Sequence, residues 1–297
     1  MKRILLTGAN GVVGAPLQVR LMRQGDSCLS VSRKLATDKT QLKTSQTLQW
    51  NLQNDLDDDQ VNQLRQFKPS IMVHCAPLWL LTKHLEHIFA SGVKRVIAFS
   101  SSSVSSKQQS NDSSEQILVQ SLKSAEETII AHCKANKVAL TIFRPSMIYG
   151  HCRDQNITHI AKFINKYGFM ILVGKASGLR QPVHADDLVN ACVSVFDQQT
   201  TYNQAYYLAG AEELSYRVMV ERIFNGLDKP VRILTVPLFL LRISLKLASL
   251  TGKFSYTSEM ADRMRQNMNY DHSMAVKDFQ YSPQVFLKFP KRDLPNN

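Results

Sequence analysis

The sequence predicts an α/β fold: a doubly wound parallel sheet that carries a smaller C-terminal α+β subdomain. Three observations predict it. Strand-like and helix-like segments alternate through the first 150 residues, the pattern of a parallel sheet covered on both faces. A glycine-rich turn, TGANGVVG at 7–14, joins the first strand to the first helix. Beyond Gly150 the alternation gives way to helical segments separated by short strand candidates.

The elements follow in order. RILLT (3–7) is short, apolar and bounded by glycine, a buried first strand. Residues 15–24 predict a helix, with Pro16 tolerated in its first turn and Gly25 beyond its end. SCLSVS (27–32) and TLQWN (47–51) read as the second and third strands. DDDQVNQLRQF (57–67) is a helix whose acidic residues stand at its start, where the helix dipole favours them. SIMVHCA (70–76) and KRVIAFS (94–100) are buried strands separated by a helix over 78–91. A long helix over 114–135 precedes the strand VALTIFRPS at 138–146.

In the second half, helices are expected near 155–167, 185–197, 214–226, 237–250 and 257–267. Strands are expected at 170–174, 205–210 and 231–236. This divides the chain into a first subdomain, 1–150, to which the chain returns near 183–212, and a cap formed by 151–182 and 213–297.

A chain of 297 residues, 44% hydrophobic and 20% charged, can bury a sizeable core in two intimate subdomains. The start, MKRILLTGANG, has too short an apolar run for a secretory leader. Five scattered cysteines without a C-x-x-C spacing suit reduced thiols, and a cytoplasmic protein is expected. The net charge of +12 would suit nucleic acid or an anionic surface. The cations are spread along the whole chain and no basic helix interleaves aromatics, so a solvated basic surface is favoured and no nucleic-acid partner is expected.

The glycine loop carries the chemistry. The first glycine, Gly8, lets the chain turn off the strand. Gly11 lets backbone N–H groups approach a pyrophosphate at the helix N-terminus, and Gly14 allows close helix–sheet packing. Placed between the first strand and first helix, this predicts a Rossmann-type dinucleotide site, with a purely structural turn as the competing reading. At the end of the second strand an acid would bind the ribose hydroxyls of NAD. Here the residues are Ser32, Arg33 and Lys34. The fork of donors on Arg33 suits a 2′-phosphate, so NADP is favoured over NAD, unless both cations simply face solvent.

These residues, together with VHCAP (73–77), FSSSSV (99–104), RPSMIYG (144–150) and PVHADDLV (182–189), resemble the extended short-chain dehydrogenase/reductase family of the nucleotide-sugar epimerase/dehydratase type. The resemblance runs in order to about residue 285. It implies that Thr7, Gly8, Asn10, Gly11, Val12, Gly14, Ser32, Arg33, Asn51, Leu52, Ala76 and Lys123 bind a dinucleotide, with a substrate, such as a nucleotide sugar, under the cap. It also implies a Ser/Tyr/Lys site, of which Ser101 is the serine and Lys123 the lysine, the latter supported by Glu127.

The tyrosine position is Val119, and no tyrosine lies between Ser101 and Tyr149. Either another group moves the proton, or the protein binds a dinucleotide without turnover. Candidates for the proton are a desolvated Lys123, a water held by Ser101, Tyr149 and His151.

Arg180 stands where the family often places an arginine near a substrate diphosphate, although a surface arginine fits equally. His84 and His87 lie one helical turn apart, but no further ligand completes a metal site, and surface histidines are expected. Asp186 and Asp187 read as helix-start carboxylates. The apolar stretch 237–250 is too short to span a bilayer; it is read as a cap helix over the cleft rather than a membrane-surface helix.

Overall fold

A computed structural model describes residues 1–33, 45–106, 112–237 and 264–295. Along the chain run β1 (Arg3–Thr7), α1 (Gly14–Arg23), β2 (Ser27–Ser32), β3 (Ser45–Gln49), α2 (Asp58–Phe67), β4 (Ile71–His74), α3 (Leu85–Ala90), β5 (Arg95–Phe99), α4 (Ser103–Ser106), α5 (Ser113–Ala135) and β6 (Ala139–Pro145). Then come β7 (Ile148–Tyr149), α6 (Ile157–Tyr167), β8 (Met170–Val173), β9 (Leu179–Arg180), β10 (Val183–His184), α7 (Ala185–Ser194), β11 (Gln204–Leu208), β12 (Leu214–Ser215), α8 (Tyr216–Gly226) and β13 (Ile233–Val236). Two further helices, Ser273–Phe279 and Pro290–Asp293, were not anticipated. The expected helix over 237–250 lies outside the described residues apart from its first, Pro237, as does most of that over 257–267.

The chain forms two compact units. The first comprises Met1–Pro145, Ala185–Leu208 and Asp271–Ser282, and the second Ser146–His184, Ala209–Tyr270 and Pro283–Asn297. The first unit holds a seven-stranded, all-parallel sheet in the order β11-β6-β5-β4-β1-β2-β3. The predicted α/β class is therefore borne out. The order reverses between β1 and β4, and such a crevice at the C-terminal strand ends is where ligands bind in these sheets.

Strands β1, β4 and β5 are nearly continuous apolar runs, as burial on both faces demands. Their core includes Leu5, Leu29, Met72, Val96, Ile129 and Ile142. Helix α2 opens with a capping box between Asp57 and Gln60, and α5 with the Asp112 carboxylate accepting from the N–H groups of Ser114 and Glu115.

The second unit has its own core, including Ile157, Ile164, Leu172, Met219 and Phe224. Three two-stranded ribbons, β7 with β10, β9 with β12 and β8 with β13, lie around it. The helix expected over 78–91 is mostly two 3₁₀ turns, Leu78–Leu80 and Thr82–His84, and only Leu85–Ala90 is α-helical. Such 3₁₀ turns are common at the start of a helix, and Pro77 precedes the first of them.

Candidate functional site

The switch point between β1 and β4 opens into a cavity of about 870 Å³. Its floor and walls come from the glycine loop (Gly8, Ala9, Asn10, Gly11), the end of β2 (Val31, Ser32, Arg33), the turn after β3 (Trp50 to Gln53) and the residues after β4 (Cys75, Ala76, Pro77, Leu80). Gly8 adopts φ +73°, and a Cβ there would meet the Cys75 carbonyl carbon at 2.6 Å. The Gly11 N–H closes the turn on the Gly8 carbonyl at 2.9 Å. A Cβ on Gly14 would sit 2.1 Å from the same oxygen. Helix α1 has neither a side-chain cap nor an acidic residue in its first turn. Its leading N–H groups and positive dipole end therefore suit an anion. A dinucleotide pyrophosphate fits this cradle.

At the end of β2, Asn10 Nδ2 donates to Ser32 Oγ at 3.0 Å and ties the loop to that strand. Arg33 is exposed at the cavity wall; Lys34 lies outside the described residues. Of the other predicted cofactor contacts, Asn51, Leu52 and Ala76 line the cavity. Thr7 does not line it: the residue is fully buried and its hydroxyl donates to His74 Nδ1 at 2.7 Å. Val12 and Gly14 are also absent from the lining, Gly14 being packed against the loop backbone.

Of the two histidines read as surface residues, His87 is exposed as expected and His84 corrects the reading. His84 is not a surface residue but is 1% exposed. Its Nε2–H donates to the Leu52 carbonyl at 2.8 Å, and its ring meets Trp50 edge-on at 4.5 Å. It thereby holds the turn after β3 against the cavity. The burial of His84 was not legible because a histidine in an amphipathic stretch gives no sign of which backbone carbonyl it will reach. His74, likewise buried, donates from Nε2 to the Pro77 carbonyl at 3.1 Å. Burial, countered in part by that bond, lowers its pKa to about 4, so it is neutral at ordinary pH.

Ser101, at the end of β5, is half-buried; its Oγ donates to Ser103 Oγ and accepts from the Ser103 N–H, both at 3.1 Å. Lys123 is half-buried on α5, and Val119, one turn earlier, is 6% exposed. Glu127, one turn beyond Lys123, is exposed. Glu126 is 4% exposed and accepts two bonds from one edge of the Arg144 guanidinium, from Nε at 3.1 Å and Nη2 at 2.5 Å. Tyr207 on β11 lies near this pair, its ring 5.7 Å from the Arg144 guanidinium, and its hydroxyl donates to Ser105 Oγ at 3.0 Å. A phenol thus reaches the serine segment from a strand that lies far along the chain, which no local spacing could reveal.

Three other candidates belong to the second unit. Tyr149 is 1% exposed and its hydroxyl accepts from the Leu287 N–H at 3.0 Å. His151 packs its ring against His184 at 5.3 Å. Arg180 is not a surface arginine but is 3% exposed, and its Nη1 donates to the carbonyls of Leu179 and Gln266 at 2.7 and 2.8 Å. The carboxylates of Asp186 and Asp187 stand in the first turn of α7.

Comparison with known proteins bears on the resemblance directly. The model of the NAD dependent epimerase/dehydratase family matches residues 80–209. Over that stretch the chain is similar to this family. It is 25% identical to a UDP-glucose 4-epimerase of Vibrio cholerae over 97% of this chain and 92% of that protein. In fold it is similar to a UDP-glucuronic acid 4-epimerase of Bacillus cereus, solved with UDP-glucuronic acid and NAD. That match has a TM-score of 0.73, 17% identity, and covers 99% of this chain and 98% of that one. A dTDP-glucose 4,6-dehydratase of Streptomyces venezuelae, solved with NAD bound, matches with a TM-score of 0.70 and 16% identity over 96% of this chain and 93% of that one. Among the described residues, no helix is long and apolar enough to cross a membrane.

Proposed function

We propose that this protein is an NADP-dependent oxidoreductase or epimerase acting on a nucleotide-sugar-like or other carbonyl/alcohol substrate. The observation that carries the reading is the cavity at the β1/β4 switch point, with its glycine cradle and a helix start free of acids. The dinucleotide, when bound, supplies hydride transfer. Gly8, Gly11 and the start of α1 would hold its pyrophosphate, Asn51 and Ala76 would flank the adenosine, and Lys123 would position the nicotinamide ribose. Arg33 would bind the 2′-phosphate. Proton transfer falls to a group other than residue 119, and Tyr207, hydrogen-bonded to Ser105, is the phenol that supports this reading.

Nucleotide fluorescence titration should show tighter binding of NADPH than NADH. Arg33→Ala should weaken NADPH selectively, by about 1–3 kcal/mol, the range for a charged hydrogen-bond partner. Equal affinities in the parent protein would remove the basis for the NADP preference.

A second reading, a dinucleotide-binding protein without turnover, is favoured by one observation: a buried valine at the family's tyrosine position. Lys123→Ala should lower dinucleotide affinity under both readings and abolish turnover under the first. Val119→Tyr is expected to fold with a cost of about 1–3 kcal/mol for overpacking, and to gain carbonyl reduction with NADPH. A folded variant with no gain in reduction would show that Val119 does not stand where that tyrosine would.

A further inference from the structure

A second cavity of about 870 Å³ lies at the opposite edge of the sheet, where β4, β5 and β6 begin. Its lining carries five cations, Lys2, Lys94, Arg95, Lys134 and Lys137, and one carboxylate, Asp197. That carboxylate is already paired with Lys2 at 2.7 Å. Ile130, Ile142 and Phe196 give the same cavity an apolar wall.

Arg95 makes this lining unusual. The residue is 4% exposed and its hydrogen bonds go to hydroxyls and a backbone carbonyl. Its Nη2 donates to Thr141 Oγ1 at 2.6 Å, and to the Val195 carbonyl and Thr201 Oγ1, both at 3.0 Å. Those bonds account for its role in joining β6 to the end of α7. They leave Nε and Nη1 buried with no partner among the described residues. Tyr202, which also lines the cavity, covers the guanidinium at 4.5 Å. Burial lowers the pKa of Arg95 to about 10, which leaves it charged at neutral pH. A buried guanidinium with two unmatched donors is costly unless an anion reaches it.

We infer that this cavity is a binding site for a soluble amphipathic anion, a single-chain organic phosphate or carboxylate. The head group pairs with Arg95, Lys94 and Lys134, and the chain lies on Ile130, Ile142 and Phe196. Rotation of Tyr202 away from the guanidinium opens Nε and Nη1 to the head group. The volume is within the range of small-molecule sites. The site shares no lining residue with the glycine-loop cavity, so it is independent of the dinucleotide reading.

Calorimetric titration of the full chain with octyl phosphate tests this, with inorganic phosphate and octanol as head-only and tail-only probes. Octyl phosphate should bind at least about tenfold more tightly than either, because charge pairing and apolar burial both contribute. Lys94→Ala/Lys134→Ala should weaken it about tenfold while NADPH titration is unchanged. Arg95→Met should abolish it; if that variant does not fold, the double lysine variant decides.

The assignment is overturned by no octyl phosphate binding at millimolar concentration, inorganic phosphate or octanol binding as tightly, undiminished affinity in the double variant, or displacement by NADPH. Sedimentation of the protein with anionic phospholipid vesicles, lost in the same double variant, would assign the cavity to a bilayer and overturn a soluble ligand.

Discussion

Gly14→Ala is expected to destabilise the protein by about 3 kcal/mol, the upper end of the usual cost of overpacking. The added methyl would lie 2.1 Å from the Gly8 carbonyl oxygen, 2.8 Å from its carbon and 3.0 Å from the Ala9 Cα. All three are backbone atoms, so no side chain can rotate to make room. The turn must move off α1, and it is the same turn whose Gly8 carbonyl accepts from the Gly11 N–H. Dinucleotide affinity should therefore fall together with thermal stability, the midpoint dropping by roughly 5 °C for a chain of this size. Calorimetric melting and cofactor titration check both. An alanine variant that melts and binds like the parent would mean that the loop and helix do not pack as described.

The second large effect is acid sensitivity that originates at His74. In the unfolded chain a histidine takes up its proton near pH 6.5. In the folded protein burial holds His74 neutral down to about pH 4. Between these values acid favours the unfolded state. The contribution is fully present above about pH 6.5 and is lost as the pH falls through about 4, a change of about 3 kcal/mol. Denaturant midpoints measured from pH 7 to pH 4 should fall steeply in the parent and less steeply in His74→Gln. Burial also lowers the pKa of His84, so some slope of the same sign should survive in the variant. Parallel profiles for the two proteins would dismiss His74 as the source.

Much of this architecture was legible because its signals are local. The apolar runs of β1, β4 and β5, the acids at the start of α2 and the TGANGVVG turn each announce their structure within a few residues. What was not legible depends on partners far along the chain. Glu126, not Glu127, takes the inward position on α5 because Arg144 of β6 stands opposite it. His84 turns inward because Leu52 presents a carbonyl, and Arg180 is buried because Gln266 does. The apolar pattern also marked a helical segment over 78–91 without distinguishing 3₁₀ from α winding.

The interrupted course of the first unit has a consequence for how the protein is made. Strand β6 ends at Pro145, its neighbour β11 begins only at Gln204, and the helix Ser273–Phe279 packs Phe279 against Tyr206 at 5.2 Å. Tyr206 also donates its hydroxyl to Asp278 at 2.7 Å. A nascent chain therefore emerges from the ribosome with the β6 edge, including Leu140, Ile142 and Phe143, unpaired. At ordinary elongation rates that edge waits roughly three to thirteen seconds for β11, and longer for the helix that packs on it. An open apolar strand edge is a template for wrong pairing. A message truncated anywhere in that interval yields a product that chaperones and proteases will treat as unfinished.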